Sequence, residues 1–265
     1  MTLKVTILGC GNSSGVPSIG NFWGACDPLE PKNRRTRCCL AVQSKKTNVI
    51  IDTGADIRYQ VNNLDIDRID MVLYTHQHSD HSHGIDDLRP LYFRNGRSCM
   101  ECRGGEVALN EIRERFRYLF DGGVHADLYP PILKAFPFAE EDYGRTLCCN
   151  DIEYIPFLMD HGTCQSVGYR FGDVSYCVDM KALDQAALDI IKGSRVWIVD
   201  GAGYHKSDNP AHADLETLYR YNDYIQADRV YVTSLSSMMD YKTLEGELPE
   251  GFFSAYDGLT TSCKP

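Results

Sequence analysis

The segment 75–81, with the sequence THQHSDH, concentrates side chains that bind metals. Three histidines and one aspartate fall within six residues, namely His76, His78, Asp80 and His81. Imidazoles this close repel one another once protonated, whereas neutral imidazole and carboxylate are natural ligands of a divalent ion. In an extended segment His76 and His78 point the same way, and Asp80 and His81 can turn toward a second ion. The spacing therefore predicts a metal site rather than a solvated polar loop.

This HxHxDH pattern resembles that of the metallo-β-lactamase superfamily, and further matches follow in the family's order. Residues 52–54 (Asp-Thr-Gly) resemble the turn whose aspartate, here Asp52, supports the metal-binding histidines from behind. His161 resembles the third histidine of the first metal site, and Asp179 resembles the carboxylate that bridges both metals. The resemblance implies an α+β fold, a four-layer αββα sandwich formed by residues 1–265 as one domain. It also implies up to two Zn²⁺ or Mn²⁺ ions per chain.

Three other segments resemble the phosphodiesterase branch of that superfamily. They are residues 8–17 (LGCGNSSGVP), residues 209–215 (NPAHADL), and the C-terminal pair 248–251 and 255–258. This branch includes the phosphoribosyl 1,2-cyclic phosphate phosphodiesterases and, more distantly, the tRNA 3′-processing endonucleases. The resemblance implies a small phosphorylated substrate, with Asp80 orienting a metal-activated hydroxide and His212 contacting the phosphate or acting as an acid. Arg89 is a further candidate for binding phosphate, but it can equally pair with Asp86 or Asp87.

The sequence departs from the family pattern at two places. The family's last histidine ligand, expected after the final Val-Thr, is replaced by Ser234, and a serine hydroxyl is a weak zinc ligand. This change either weakens the second metal, favours a harder ion such as manganese, or abolishes catalysis; His205 is a less favoured substitute ligand. The cysteines of a structural zinc site are reduced to Cys26, with Ser237 at the late position, so we expect that zinc to be absent and Trp23 to pack in its place.

Periodicity locates the elements that must position these residues. Strand-length apolar runs cover 4–8, 40–43, 48–52, 70–75, 152–157, 166–171, 174–178, 196–200 and 229–233. Helical periodicity covers 106–120, 183–192 and 213–226. Asn209 and Pro210 also resemble a helix cap and first turn, which would make His212 a residue of the helix start. The polar stretch 19–37 is long enough for a functional loop.

Composition limits the classes of partner. The net charge is -10, and an acidic chain makes long nucleic acids improbable partners but does not exclude small phosphates beside metal ions. We expect a cytoplasmic protein without a membrane anchor, since no signal peptide or membrane-spanning run is recognisable. The 11 cysteines are expected to be free thiols, and the Cys99–Cys102 CxxC is interpreted as part of a strand. The sequence leaves a homodimer open.

Three alternatives to a phosphodiesterase stay open. An RNA-processing enzyme would need a basic docking surface, which the charge argues against. A thioester hydrolase uses the same metal ligands but fits the 8–17 and 209–215 segments less well. A metal- or nucleotide-binding protein that has lost turnover is supported by Ser234 alone.

Overall fold

The computed structural model describes residues 2–64, 66–122 and 128–264, which form two mixed β-sheets flanked by helices. The first sheet has the order β14-β1-β2-β3-β4-β5-β6 and the second the order β13-β12-β11-β10-β9-β8-β7. The strands are β1 (Leu3–Gly9), β2 (Cys39–Gln43), β3 (Asn48–Ile51), β4 (Met71–Leu73), β5 (Met100–Gly104), β6 (Leu133–Pro137), β7 (Leu147–Cys149), β8 (Ile152–Asp160), β9 (Gln165–Phe171), β10 (Val174–Cys177), β11 (Val196–Asp200), β12 (Arg229–Thr233), β13 (Phe252–Ser254) and β14 (Leu259–Cys263).

The helices lie outside the two sheets. They are α1 (Ile57–Asn62), α2 (Ser79–Ser82), α3 (Arg89–Arg94), α4 (Glu106–Arg115), α5 (Arg117–Phe120), α6 (Gln185–Ile191), α7 (Leu215–Ile225) and α8 (Tyr241–Glu247), with single 3₁₀ turns at Pro31–Asn33, Ile85–Leu88 and Glu140–Asp142. The layers confirm the predicted α+β, αββα sandwich. None of the helices in the described ranges is long and apolar enough to cross a membrane.

Strand alternation explains how the first sheet can be buried on both faces. In β2 and β3, Leu40 and Ile51 face the second sheet, whereas Ala41 and Ile50 face the outer helices. Successive side chains of a strand point to opposite faces, so apolar runs without polar alternation are expected when both faces are covered. The core between the sheets is rich in large aromatic residues, including Tyr154, Tyr169 and Phe171, all buried.

The strand predictions are confirmed within a few residues, whereas two of the helix predictions needed correction. The stretch 106–120 is two helices, because the backbone leaves helical geometry at Phe116 (φ −115°, ψ 35°). Helix α7 begins at Leu215, where the Asp214 side chain accepts a hydrogen bond from Thr217 N at 3.0 Å. The Asn209 side chain instead accepts from Ala211 N and His212 N, so His212 lies in a loop and not in the helix start. The CxxC falls at β5 as predicted, and the eleven cysteines are free.

The contact between β8 and β9 leaves no room for a side chain at Gly168. A Cβ built there would lie 2.4 Å from ring carbons of Phe157, a buried residue directly opposite on β8. We expect Gly168→Ala to lower the free energy of unfolding by about 1–3 kcal/mol through overpacking. Gly246→Ala is the matched control, since its Cβ would meet nothing within 4 Å in α8; it should raise stability by roughly 0.5–1 kcal/mol. Urea unfolding of both variants checks this, and equal effects would contradict the packing argument.

Candidate metal centre

The loop after β4 carries the histidine cluster, and Asp52 fixes it from below. One Asp52 oxygen accepts from Thr75 N at 2.8 Å, while the other accepts from Thr75 Oγ1 at 2.8 Å and lies 2.7 Å from His81 Nδ1. Asp52 is fully buried and has a positive φ of 67°, a geometry that a non-glycine residue keeps only when its surroundings hold it there. Gly54 lets this turn approach α2, because a Cβ there would lie 2.0 Å from Asp80 O. Asp52 therefore stands where the family resemblance expects it, behind the histidines.

The first ligand cluster joins both sheets. His76, His78, His161 and Asp179 each offer one ligand atom, and all four atoms lie within 4.8 Å of one another. Nε2 of His76 and Nε2 of His161 are each 3.4 Å from Asp179 Oδ2, and His76 Nε2 is 2.9 Å from His78 Nδ1. Four donors placed tetrahedrally at ~2.1 Å around one ion stand about 3.4 Å apart. The spacing and the donor types therefore fit a divalent metal.

The second ligand cluster shares Asp179 with the first. Asp80, His81 and Asp179 also offer atoms within 4.8 Å of one another, with His81 Nε2 3.3 Å from Asp80 Oδ2 and 3.4 Å from Asp179 Oδ2. Asp179 Oδ2 is thus equally distant from the Nε2 atoms of three histidines. A carboxylate in that position can bridge two ions, as the resemblance implies.

Hydrogen bonds at the rear nitrogens orient the imidazoles. His161 Nδ1 lies 2.8 Å from the carbonyl oxygen of Ala211, and His76 Nδ1 lies 3.0 Å from Thr75 Oγ1. Contacts of this kind fix the tautomer and leave the other ring nitrogen for a ligand. Burial, assisted by the charge of His81, lowers the pKa of His76 to about 4, and burial also lowers the pKa of His78. Both side chains are therefore neutral near pH 7, which is the form that binds metal.

His81 and Asp179 form the charged part of the cluster. Burial opposes the charge on His81, but Asp179 and Asp52 outweigh it and raise the pKa of this imidazole well above its usual value. Burial likewise opposes the charge of Asp179, and His81 and His76 outweigh it to hold the pKa of that carboxyl well below the usual range. The two groups thus neutralise each other across 3.4 Å, and an ion at the second cluster would take the place of the His81 proton.

His212 stands beside the first cluster and is oriented by Asp200. Its Nδ1 lies 2.6 Å from Asp200 Oδ2, and its ring centroid is 5.2 Å from that of His161. Both Asp200 oxygens also accept backbone hydrogen bonds, Oδ2 from Met180 N and Oδ1 from Ala202 N, each at 2.8 Å, and Asp179, Asp200 and His212 form a third group whose possible ligand atoms lie within 4.8 Å of one another. Burial lowers the pKa of His212, but the Asp200 hydrogen bond and charge raise it more, to about 9. A protonated imidazole therefore stands at the edge of the metal centre at neutral pH.

Ser234 is buried and is in contact with a cysteine. Its Oγ is 3.4 Å from Cys38 Sγ, which also donates to the carbonyl oxygen of Gly11 at 3.3 Å. Burial, with the charge of Asp179, raises the pKa of Cys38 to about 12, so this thiol stays protonated. Within the described residues, Asp80, His81 and Asp179 are the side chains grouped at the second cluster. His205, the substitute that we considered, is 60% exposed and 3.3 Å from Glu247.

Two further predictions concern residues outside the clusters. Of the two interactions considered for Arg89, the structure shows the ion pair, with its guanidinium 3.4 Å from Asp86. The same guanidinium also lies over the rings of Tyr118 and Tyr129. Around Cys26, the position that we assigned to Trp23 is taken by Arg35, which donates to Ser236 O at 3.1 Å and lies 3.9 Å from Cys26 Sγ. Trp23 instead packs against the exposed Arg34.

A cavity of about 870 Å³ opens beside the histidine loop. Its walls include Gln77, between two ligand histidines, and Cys164, three residues after His161. The lining includes the apolar residues Phe138, Leu158 and Val167, together with glutamates of α4 and of the 3₁₀ turn Glu140–Asp142. Arg115 in α4 donates to the Gln77 carbonyl oxygen and pairs with Glu111 at 2.6 Å, which ties this wall to the metal loop.

The comparisons with known proteins agree with this geometry. Residues 47–233 match the family model of the beta-lactamase superfamily domain. The chain belongs to that superfamily. The match spans more than two thirds of the chain and includes the ligand candidates from His76 to Asp179. Its fold is therefore that of the metallo-β-lactamases.

Several similar proteins can be aligned with nearly the whole length of this chain. The crystal structure of a diphosphatase from the PhnP family is 28% identical, with a TM-score of 0.86 over 99% of this chain and 97% of that one. Zn²⁺-bound PqqB from Methylobacterium extorquens shares the fold at 16% identity, with a TM-score of 0.74 over 97% of this chain and 99% of that one. A protein of Porphyromonas gingivalis named octanoyltransferase is 29% identical over 97% of this chain, which spans 51% of that relative's length.

Sequence reasoning missed Asp200 and the cavity. Asp200 ends a fully buried apolar strand, as Asp179 follows one, and that placement was a usable signal. The cavity walls come from four separate stretches of the chain, so no local pattern pointed to them.

Proposed function

We propose that the protein is a metal-dependent phosphodiester hydrolase for a small cyclic phosphate or nucleotide-like substrate. The observation that carries the proposal is the juxtaposition of two ligand clusters sharing Asp179 with a protonated His212. Ions bound there would supply a water of lowered pKa and neutralise phosphoryl oxygens. The 28% identical structure of a diphosphatase supports phosphoryl chemistry.

Separate residues of the chain would bind the metals, orient the water and donate the proton. His76, His78, His161 and Asp179 would hold one Zn²⁺ or Mn²⁺, and Asp80, His81 and Asp179 a second. Asp80 also offers an acceptor that orients the attacking water, and His212 would donate a proton to the leaving oxygen from its Nε2, since Nδ1 faces Asp200.

The large cavity would receive the part of the substrate beyond the scissile phosphate. Its apolar lining residues suit an uncharged group, and its glutamates would repel further phosphates. Arg89, held by Asp86 and aromatic rings, would contribute less to phosphate binding than His212. We propose a small phosphorylated molecule as the partner and leave open a homodimer.

The test is hydrolysis of bis(p-nitrophenyl) phosphate by protein reconstituted with Mn²⁺ or Zn²⁺. We expect metal-dependent turnover that Asp80→Ala reduces by at least about a hundredfold. Asp87→Ala is the matched control, because Asp87 is exposed on the 3₁₀ turn seven residues later. If Asp80→Ala retained turnover, the role assigned to Asp80 would be wrong.

Ser234 favours a second candidate, a protein that binds metal and a nucleotide without hydrolysing it. The second cluster has three side-chain donors in the described chain, and the Ser234 hydroxyl is in contact with Cys38. Binding of metal and of a nucleotide without hydrolysis would support this candidate. Because one relative is named octanoyltransferase, the assay should also test for a thioester hydrolase. Release of thiol from an octanoyl thioester, without diester hydrolysis, would favour that activity.

A further inference from the structure

The charged side chains that line the large cavity beside the histidine loop all have the same sign. They are Glu106, Glu111 and Glu140, and no lysine, arginine or histidine of the described chain lines it. Glu111 is paired with Arg115 at 2.6 Å, whereas Glu106 and Glu140 are exposed and make no ion pair or side-chain hydrogen bond within the described ranges. Two of the three carboxylates at this cavity therefore have no basic partner among the described residues.

Two aromatic side chains line the same cavity next to a carboxylate. The rings of Phe138 and Tyr143 meet edge to face, with their centroids 5.9 Å apart. The hydroxyl of Tyr143 lies next to Gly105, because a Cβ built on Gly105 would be 3.5 Å from it. Glu106 follows Gly105 as the first residue of α4. Burial, with the charges of Asp142 and Glu106, raises the pKa of Tyr143, so the field of the Glu106 carboxylate reaches this ring.

The large cavity adjoins the first ligand cluster at two points of its wall. Gln77 lies between His76 and His78 in the histidine loop, and Cys164 lies three residues after His161, just before β9. The volume of about 870 Å³ is of the size that small-molecule sites have. A substrate with its phosphate at the ligand clusters can therefore extend into this cavity.

We propose that the part of the substrate beyond the scissile phosphate carries a positively charged amine, which the large cavity binds; this inference rests on the proposed function. A cation is attracted both by carboxylates and by the faces of aromatic rings, and a substituted ammonium group can contact the two together. Leu158 and Val167 offer apolar contacts to its carbon skeleton. The glutamates that repel a second phosphate thus favour the opposite charge at that end of the substrate.

The experiment compares two chromogenic diesters that have the same shape and differ in charge. The first is p-nitrophenyl phosphocholine, and in the second a tert-butyl group replaces the trimethylammonium group. We expect the metal-loaded protein to hydrolyse the choline ester with a kcat/KM about tenfold higher than that of the neutral ester. In the double variant Glu106→Gln, Glu140→Gln this preference should disappear.

Glu114→Gln is the matched control, since Glu114 is an exposed residue of the same helix and does not line the cavity. It should keep the wild-type preference for the choline ester. Equal kcat/KM values for the two esters in the wild type, or a preference that persists in the double variant, would overturn the amine site. Thermal melting of each variant separates loss of preference from loss of fold.

Binding of choline to the metal-depleted, full-length protein separates this inference from the proposed function. Calorimetric titration should show saturable binding that the double variant weakens about tenfold and that Glu114→Gln leaves unchanged. Such binding, without hydrolysis of either ester by the metal-loaded protein, would overturn the proposed function and support the amine site. Hydrolysis of both esters, without choline binding that depends on Glu106 and Glu140, would support the proposed function and overturn the amine site.

Discussion

Replacing Asp179 by asparagine is expected to abolish metal retention and to lower diester turnover by at least about 10³-fold. The reason is the position of Asp179 Oδ2, which lies 3.4 Å from the Nε2 atoms of His76, His81 and His161. An amide keeps the shape but removes the charge that serves both clusters. Elemental analysis after gel filtration should show the loss of bound ions directly.

The control for this experiment is Asp160→Asn. Asp160 is an exposed aspartate next to His161 whose side chain accepts from Gly162 N at 2.7 Å. It should retain the wild-type metal content and turnover. If Asp179→Asn kept two ions per chain, the assignment of a shared ligand would be wrong.

The second large effect is expected at His212. We expect His212→Gln to reduce turnover of diesters with a poor leaving group by about 10²–10⁴-fold, while p-nitrophenyl esters lose much less. A p-nitrophenolate leaves without a proton, so the difference between the substrates isolates the acid role from binding or folding. Equal losses on both substrates would indicate a role in binding alone.

The pH dependence offers an independent check of the same residue. The pKa of His212 is raised to about 9, so the proton donor is present below that pH and is lost above it. Turnover limited by this acid should therefore fall as the pH rises through about 9. In Asp200→Asn, the hydrogen bond and charge that raise the pKa are removed, and the fall should move down toward the ordinary histidine value of ~6.5. If Asp200→Asn left the pH profile unchanged, His212 would not be the acid.

The sequence was most informative where a local pattern determines the structure. The strand runs and the HxHxDH loop were predicted because each depends on neighbours in the chain, and the fold class followed from the resemblance. The break at Phe116 was missed because the apolar periodicity continues across it. The partnership of His212 with Asp200 joins a loop to a strand end, and that contact follows only from the folded chain.

Contacts between distant segments also explain why the sequence did not predict the packing of residues 19–37. The resemblance led us to expect that only Cys26 remains of a zinc site, but it did not show which side chains surround Cys26. Arg35 and Asn33, which we had not singled out, link this loop to residues 236–241, with Asn33 donating to Asp240 at 2.6 Å. A polar network between distant segments leaves no spacing signature.

Two contacts between the sheets hold the histidine loop in place beside β9. Tyr169 donates its hydroxyl to the Tyr74 carbonyl oxygen at 2.6 Å, and Val167 N donates to Thr75 O at 2.8 Å. These bonds fix the start of the loop relative to the second sheet through protein atoms alone, so this part of the ligand geometry does not depend on an ion. We therefore expect a chain emptied by a chelator to keep its fold and to take up ions again without refolding. The fraction of active protein would then follow the free concentration of the ion.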